Sequence, residues 1–414
     1  MGNVTKTIGL SLGADICWPI CFEEIVREMK LSIPFAGDNV SFQVERVMIE
    51  PYSLQQPCKY AVVLDRLTHW YNTSREWIKK AILLNDLYVL NNPWAVQSME
   101  KQTTYCAMMR LGLPIPKTWM VPPKSYDRSS SKDLEFTLRN YAKLFDLGHL
   151  GRELEYPLFM KPYDGGGWVG VSKIDNEGEL RASYEQSGKH VMHLQEAVNP
   201  YEHFMRCVGL GPQVKLINYD PAAPLHGRYV AGQPQLSTAD QDWLRKVTLI
   251  INAFFVWDFN SCECLSKDGV WYPIDFANPC PDSQVTSLHW HFPWYIKANI
   301  RWAIFCATTG RKMRLNQNWQ PYFDIADTDM APDEKFEAYA ALAEEHFETE
   351  RFEEFCDKHL SHLDEVTWNF FATDRAKQAI REKVASLYPH HEIETFTEHF
   401  FEQIQRWREM EPPK

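Results

Sequence analysis

Two stretches of the chain combine residue types and spacings that can do chemistry. The first, Pro157 to Val171, reads PLFMKPYDGGGWVGV: an apolar strand ending in Lys161, then Asp164, then Gly165, Gly166 and Gly167, with a second strand expected from Trp168. Successive glycines let the backbone approach a ligand closely and aim N–H groups at phosphate oxygens, and Lys161 adds a positive charge for the same anion. The pattern is not a Walker A loop, because no Gly-Lys-Ser/Thr follows. Nor is it a Rossmann fingerprint, because a strand follows where a helix is required. A Gly-rich hairpin with no ligand is the competing reading.

The second stretch, Trp257 to Asp282, reads WDFNSCECLSKDGVWYPIDFANPCPD. Lys267-Asp268-Gly269 is a tight-turn signal, so the strand carrying Glu263 is expected to pair with a return strand that brings Asp275 and Asn278 beside it. Two carboxylates and an amide oxygen are hard ligands of the kind Mg²⁺ accepts, with Mn²⁺ as the variant, and waters and phosphate oxygens would complete the shell. A solvated turn competes with this. Against it, Asp275 and Asn278 lie in apolar and aromatic surroundings, where an unpaired carboxylate is costly.

These residues need elements to position them. From Met1 to about Pro122, strand-like and helix-like segments alternate: Thr7–Leu12, Ile16–Met29, Tyr60–Leu64, Trp77–Leu83 and Leu87–Leu90. That alternation predicts a small α/β domain with a largely parallel sheet. Val121–Lys132, with two prolines and four serines, reads as a linker or exposed loop. From Tyr156 to about Thr309 the pattern predicts strands, with β-branched and aromatic runs at Gln213–Tyr219, Val247–Phe259 and Val270–Phe276. After Lys312, stretches such as Glu334–Phe347 and Glu392–Trp407 repeat apolar residues at helical spacing.

In this order, about a hundred residues apart, the two chemical stretches resemble the ATP-grasp superfamily of the carboxylate-amine or thiol ligase type. The intervening HLQEAV, His193 to Val198, resembles its hinge, whose backbone at Glu196, Ala197 and Val198 meets the adenine. The resemblance implies that Glu196 helps hold the adenine amino group, that Glu202 lies near the ribose, and that Arg206 is the arginine opening the next strand. Upstream, SMEKQTTYCAMMRLGLPIPKTW resembles the segment that carries a phosphate-contacting lysine, here Lys101. The family's ending is carboxylate-x-Asn, whereas this chain has Asp275-Phe276-Ala277-Asn278. Asp282 therefore competes with Asn278 for the metal shell. Asp258 competes with Glu263, and the spacing of 12 from Asp275 favours Glu263.

The resemblance implies an α+β, ATP-grasp fold with an N-terminal α/β (pre-ATP-grasp) domain over 1–122, the core with its Gly-rich lid over 123–312, and a C-terminal helical extension over 313–414. It implies a Mg-ATP-dependent enzyme in which a carboxylate becomes an acylphosphate, an amine attacks it, and ADP and phosphate leave. A small-molecule kinase of the same fold, or a non-catalytic nucleotide-binding protein, would use much the same residues.

On the substrate side, Arg66 follows the strand Tyr60–Leu64 at its carboxyl end, where open α/β sheets bind ligands, and its fork suits a carboxylate. A surface salt bridge is the alternative. Arg228 in LHGRYV is a candidate phosphate or substrate contact, and Lys215 a weaker one. His289 and His291, two apart on an expected strand, read as packing beneath the site in preference to metal ligands. A net charge of −12 argues against nucleic acid and anionic membranes as partners, and apolar runs break well short of the roughly 20 residues that span a bilayer. The amino end shows no signal-peptide pattern, and the ten cysteines show no zinc-ligand spacing. Together these predict a cytoplasmic protein, and the resemblance implies small-molecule carboxylate and amine substrates for it. Its helical tail is either a homodimer surface or packing on its own core.

Overall fold

Ile8, Gly9 and Leu10 are buried on both faces of their strand, as a central strand of a parallel sheet requires. That strand, β1 (Asn3–Ser11), lies in a five-stranded sheet with β2 (Ile33–Phe35), β3 (Asp38–Arg46), β4 (Tyr60–Asp65) and β5 (Tyr88–Leu90), in the order β2-β3-β1-β4-β5. β1 runs parallel to β3 and β4, and β4 parallel to β5; only β2 is antiparallel, to β3. The β2–β3 hairpin turns at Ala36 and Gly37, both at positive φ (49° and 91°). The helix Cys17–Met29 buries Trp18, Cys21, Phe22, Ile25, Val26 and Met29 along one stripe, so its spacing accounts for its docking.

The computed structural model describes residues 2–48, 51–68, 71–98, 100–126, 133–141, 143–164 and 169–413. Its chain divides between two compact units. The first joins Met1–Met99, Met205–Cys262 and Asn278–Lys414; the second joins Glu100–Phe204 with Glu263–Ala277. The chain thus passes between units at 99/100, 204/205, 262/263 and 277/278, and neither 122 nor 312 is a crossing point.

The second unit holds β6 (Thr118–Val121), β7 (Leu158–Pro162), β8 (Ser172–Ile174) and β9 (Met192–Glu196), antiparallel in the order β6-β9-β7-β8. Val121, Leu158, Met160, Ile174, Met192 and Leu194 from these strands pack with Leu147, Leu154 and Leu180 from two helices. Those helices start at Asp146 and Asn176, whose side chains accept the backbone N–H of His149 and Glu179. The Gly-rich stretch Gly165–Trp168 lies outside the described residues; after it, β8 begins at Ser172.

In the first unit, β10 (His203–Leu210) from Met205 onward pairs antiparallel with β11 (Gln213–Asn218). β12 (Phe259–Lys267) runs from the first unit into the second, where its end pairs with β13 (Val270–Asp275) around Asp268 and Gly269, both at positive φ.

Two strand expectations are corrected. Val247–Phe255 is the second half of a helix, Thr238–Phe255, opened by Ser237, whose Oγ accepts the Asp240 N–H at 3.1 Å. A continuous apolar run is compatible with either element, and here the cap decides. His289 and His291 are not on a strand but in a 3₁₀ turn leading into the helix Phe292–Thr309, which is buried nearly all round. Beyond it six further helices of at least seven residues lie among the described residues, from Gln320–Ala326 to Ile393–Met410, so the C-terminal region is helical. No helix among the described residues is long and apolar enough to cross a membrane.

Candidate functional site

Lys161 is the penultimate residue of β7, with its side chain almost wholly buried, and its Nζ donates to Gln195 Oε1 (2.8 Å) and to the Ile274 carbonyl (2.9 Å). Gln195 on β9 is oriented in turn by donating to Thr118 Oγ1 (2.8 Å) on β6. Tyr105 donates its hydroxyl to the same Ile274 carbonyl (2.7 Å) and lies with its ring 5.2 Å from the Lys161 ammonium. Lys101 opens the helix Lys101–Arg110, is buried as well, and sets its Nζ 3.4 Å from Asp275 Oδ2. Asp275 is the residue directly opposite Glu263 across the β12–β13 ladder, so their side chains share a face. The expected turn and pairing are therefore present.

Two lysines and two carboxylates in one unit form a mixed-charge cluster. Burial holds Lys161 down to about 8; Asp275 and Glu263 pull it up while Lys101 pushes it further down. An ammonium kept at the edge of ionisation is in place for an anion that restores its charge balance. His193 is buried beside both lysines, and burial lowers it to about 4. It is therefore neutral at pH 7, with Nε2 donating to Gln102 Oε1 at 2.9 Å.

The residues expected to form the hinge stand at and after the end of β9. Glu196 exchanges contacts with Lys117: its backbone N–H donates to the Lys117 carbonyl and its Oε1 accepts the Lys117 N–H, both at 3.0 Å. Ala197 is partly buried and Val198 buried. Glu202 is exposed, with its N–H on the Ser266 carbonyl at 2.8 Å. Tyr105, Gln195 and His193 were not singled out from the sequence. Strand pairing brings Gln195 and His193 to the cluster and the helix Lys101–Arg110 brings Tyr105, and the sequence signal is the pair of polar residues, His193 and Gln195, in an otherwise apolar buried strand.

The remaining expected residues lie in the other unit. Arg206 on β10 donates from Nη2 to Ser261 Oγ (3.2 Å), with its guanidinium 5.7 Å and 5.5 Å from the Tyr219 and Tyr229 rings. Asn278 donates from Nδ2 to the same Ser261 Oγ (2.8 Å), and its backbone N–H donates to Asn260 Oδ1 (2.9 Å). Asp282 accepts the Gln284 N–H in an Asx turn (2.9 Å), and Arg228 donates from Nε to the Ala223 carbonyl (3.2 Å). Lys215 is buried with its ammonium 5.2 Å from the Trp290 ring.

Arg66 is at the carboxyl end of β4 beside β1, where the sheet order reverses direction, so it occupies the switch point of the sheet. Its Nε lies 3.3 Å from Asp15 Oδ2 and its Nη2 donates to the Pro281 carbonyl (2.9 Å). Nη1 is buried with no partner among the described residues. The Arg66–Asp15 pair is thus buried, not a surface ion pair.

Asp258 has a structural assignment. It accepts the Tyr88 hydroxyl (2.6 Å) and the Trp302 indole N–H (3.0 Å), and burial raises its pKa against the pull of Arg311. Asp258→Ala is expected to cost about 3 kcal/mol, because it leaves the Tyr88 hydroxyl and the Trp302 indole N–H unsatisfied in the core. Urea denaturation checks this.

Among the described residues no three His, Cys, Asp or Glu side chains gather as a metal-ligating group. Glu263 and Asp275 alone fit an ion that takes one or two carboxylates and fills the rest of its shell with water and phosphate oxygens, which is the habit of Mg²⁺ and not of Zn²⁺.

No protein-family model matches the chain. One curated relative, a D-alanine–D-alanine ligase of Bifidobacterium adolescentis, is 30% identical over 95 residues, which are 22% of this chain and 24% of that ligase. This match supports the ATP-grasp superfamily. The chain spans about a quarter of the length of that relative. Among solved structures, the macrocyclase MdnC bound with precursor peptide MdnA, from Microcystis aeruginosa, shares 13% identity over 73% of this chain and 100% of its own, at a TM-score of 0.49. The D-alanine–D-alanine ligase from Bacillus anthracis complexed with ATP shares 13% identity over 73% of this chain and 97% of its own, at 0.47. A RimK domain ATP-grasp protein from Sphaerobacter thermophilus shares 12% over 67% and 92%, at 0.42.

Proposed function

We propose that the chain is a Mg-ATP-dependent ligase that activates a carboxylate as an acylphosphate and joins it to an amine, releasing ADP and phosphate. The observation that carries this reading is the cluster in which buried Lys101 contacts the half-buried Asp275, Asp275 faces Glu263, and buried Lys161 lies within the field of all three. Glu263 and Asp275 would hold Mg²⁺, and the ion would neutralise phosphate charge. Lys101 and Lys161 would bind the phosphates of ATP, together with the backbone of Gly165, Gly166 and Gly167, and orient the γ-phosphoryl group toward its acceptor. Glu196, Ala197, Val198 and Glu202 would hold the nucleoside. Arg206 and Arg228 would stabilise charge as the phosphoryl group moves, and Arg66, with Nη1 unspent, would bind the substrate carboxylate. The ten cysteines form no disulfide, which suits a cytoplasmic enzyme.

Phosphorus NMR of the protein with Mg-ATP and a pool of small carboxylates, amines and polyols tests the reading. Growth of ADP and free phosphate only when carboxylate and amine are both present is expected. A new phosphomonoester signal from the polyols would overturn the ligase assignment.

The same cluster sets a pH dependence. Lys161 has its folded pKa near 8, so it loses its charge as pH rises through that value. Mg-ATP affinity is therefore expected to fall above pH 8, by at most about tenfold per pH unit for one proton. Titration calorimetry from pH 7 to 9.5 reads this directly, and Lys161→Met should make the affinity low and flat.

A further inference from the structure

His289 and His291 are buried and contribute nothing to the cluster above, yet each is tied to one short segment. That segment, 228–230, extends the antiparallel pairing of β11: the Asp220 N–H donates to the Arg228 carbonyl and the Val230 N–H to the Asn218 carbonyl, both at 2.9 Å. These bonds flank the Tyr219–Tyr229 bridge and leave the Tyr229 carbonyl facing away from β11. His289 takes the Trp290 N–H on Nδ1 at 2.8 Å, so its proton is on Nε2, and it hydrogen-bonds the Tyr229 backbone. His291 sets Nε2 2.9 Å from the Val230 carbonyl, which accepts. Two successive carbonyls of the segment are therefore each met by one imidazole.

What the segment carries is the Tyr229 ring. It stands edge-on to Tyr219 (centroids 5.4 Å apart, planes at 88°), and the Arg206 guanidinium lies against both rings. We propose that His289 and His291 are positioning residues for Arg206, fixing through the Tyr229 and Val230 carbonyls the aromatic wall that aims its guanidinium. The consequence for turnover rests on the reading of Arg206 as a charge-stabilising residue; the positional claim does not.

The arrangement is costly in ways that a packing role alone does not explain. His289 has φ near +27°, a backbone conformation that a non-glycine residue holds only when its surroundings dictate it. His291 Nδ1 is buried with no partner among the described residues, where an apolar ring would fill the space without that penalty. Both rings stay neutral: burial lowers His289 to about 4, helped by the nearby His226 and His399, and His291 to about 3, helped by Lys215. Each therefore offers a single Nε2–H donor throughout the neutral pH range.

The test reads Arg206 itself. In protein labelled with ¹⁵N-arginine, the Arg206 Nε–H resonance, identified by its loss in Arg206→Lys, should be displaced by the ring currents of two tyrosines. His289→Gln and His291→Gln keep a donor and should keep the displacement. The double variant His289→Phe/His291→Phe should lose most of it while remaining folded by circular dichroism. An unmoved resonance in the double Phe variant would overturn the proposal. Should that variant not fold, ¹⁵N-histidine spectra of the wild-type protein decide: the neutral Nε2–H tautomer at both positions is expected, and Nδ1–H at either is fatal to it. Unchanged turnover in Arg206→Lys alongside the expected spectra would remove the functional reading of Arg206 and leave this one standing.

Discussion

Replacing Lys161 with methionine is expected to lower ATP turnover by about 100- to 1,000-fold while the protein stays folded. The magnitude is that of removing one preorganised charge-stabilising donor from a buried site, about 3–4 kcal/mol of transition-state stabilisation. Stability should not follow activity. Because the folded pKa of Lys161 is near 8 and the unfolded one near 10.5, the unfolded chain binds more protons between those values. Stability therefore rises with pH across that window, and below pH 8 the full burial penalty of the ammonium, about 3 kcal/mol, is present. Methionine removes that penalty and strands the Gln195 oxygen, a cost of about 1–3 kcal/mol, so the two roughly offset. A thermal midpoint near wild type with turnover lost would separate function from folding; turnover kept within threefold would remove Lys161 from the phosphate site.

Asp275→Asn, which keeps shape and strips charge, should produce the other large effect: turnover lower by about 100-fold or more, partly recovered by raising Mg²⁺. Asp275 serves the cluster twice, opposite Glu263 as a proposed metal ligand and 3.4 Å from Lys101 as its counter-charge. It is also the first of the groups that raise the Lys161 pKa, so its neutralisation should move the decline in Mg-ATP affinity to a pH below 8. A decline that stays at pH 8 in Asp275→Asn would show that the two groups are not electrostatically coupled.

How much of this was legible in the sequence depends on whether the information was local. The pairing of Glu263 with Asp275 was legible because Asp268 and Gly269, both at positive φ, set the register of a tight hairpin, and register determines which side chains face each other. The parallel N-terminal sheet was legible because its strands are short apolar runs separated by a helix with a clear stripe. The β2–β3 hairpin was not, since Ala36 holds a left-handed conformation that glycine or asparagine would have advertised. Val247–Phe255 looked like a strand because a helix buried on most sides loses its amphipathic period; the decisive Ser237 cap lies ten residues earlier. Gln195 and Tyr105 escaped notice for a different reason. Gln195 is brought to Lys161 by the β7–β9 pairing and Tyr105 by the shared Ile274 carbonyl and its ring, contacts between residues far apart in sequence.

The central claim is that the cluster passes the γ-phosphoryl group of ATP to a carboxylate, and the most direct measurement follows an oxygen atom. The wild-type protein would be incubated with Mg-ATP, a pool of amines and a pool of carboxylates labelled with ¹⁸O, and the released phosphate analysed by mass spectrometry. An acylphosphate leaves one carboxylate oxygen on the phosphate when the amine attacks, so phosphate carrying a single ¹⁸O, absent in Lys161→Met, is the expected result. Turnover that releases only unlabelled phosphate would contradict the claim, because the phosphoryl group would then have gone to water.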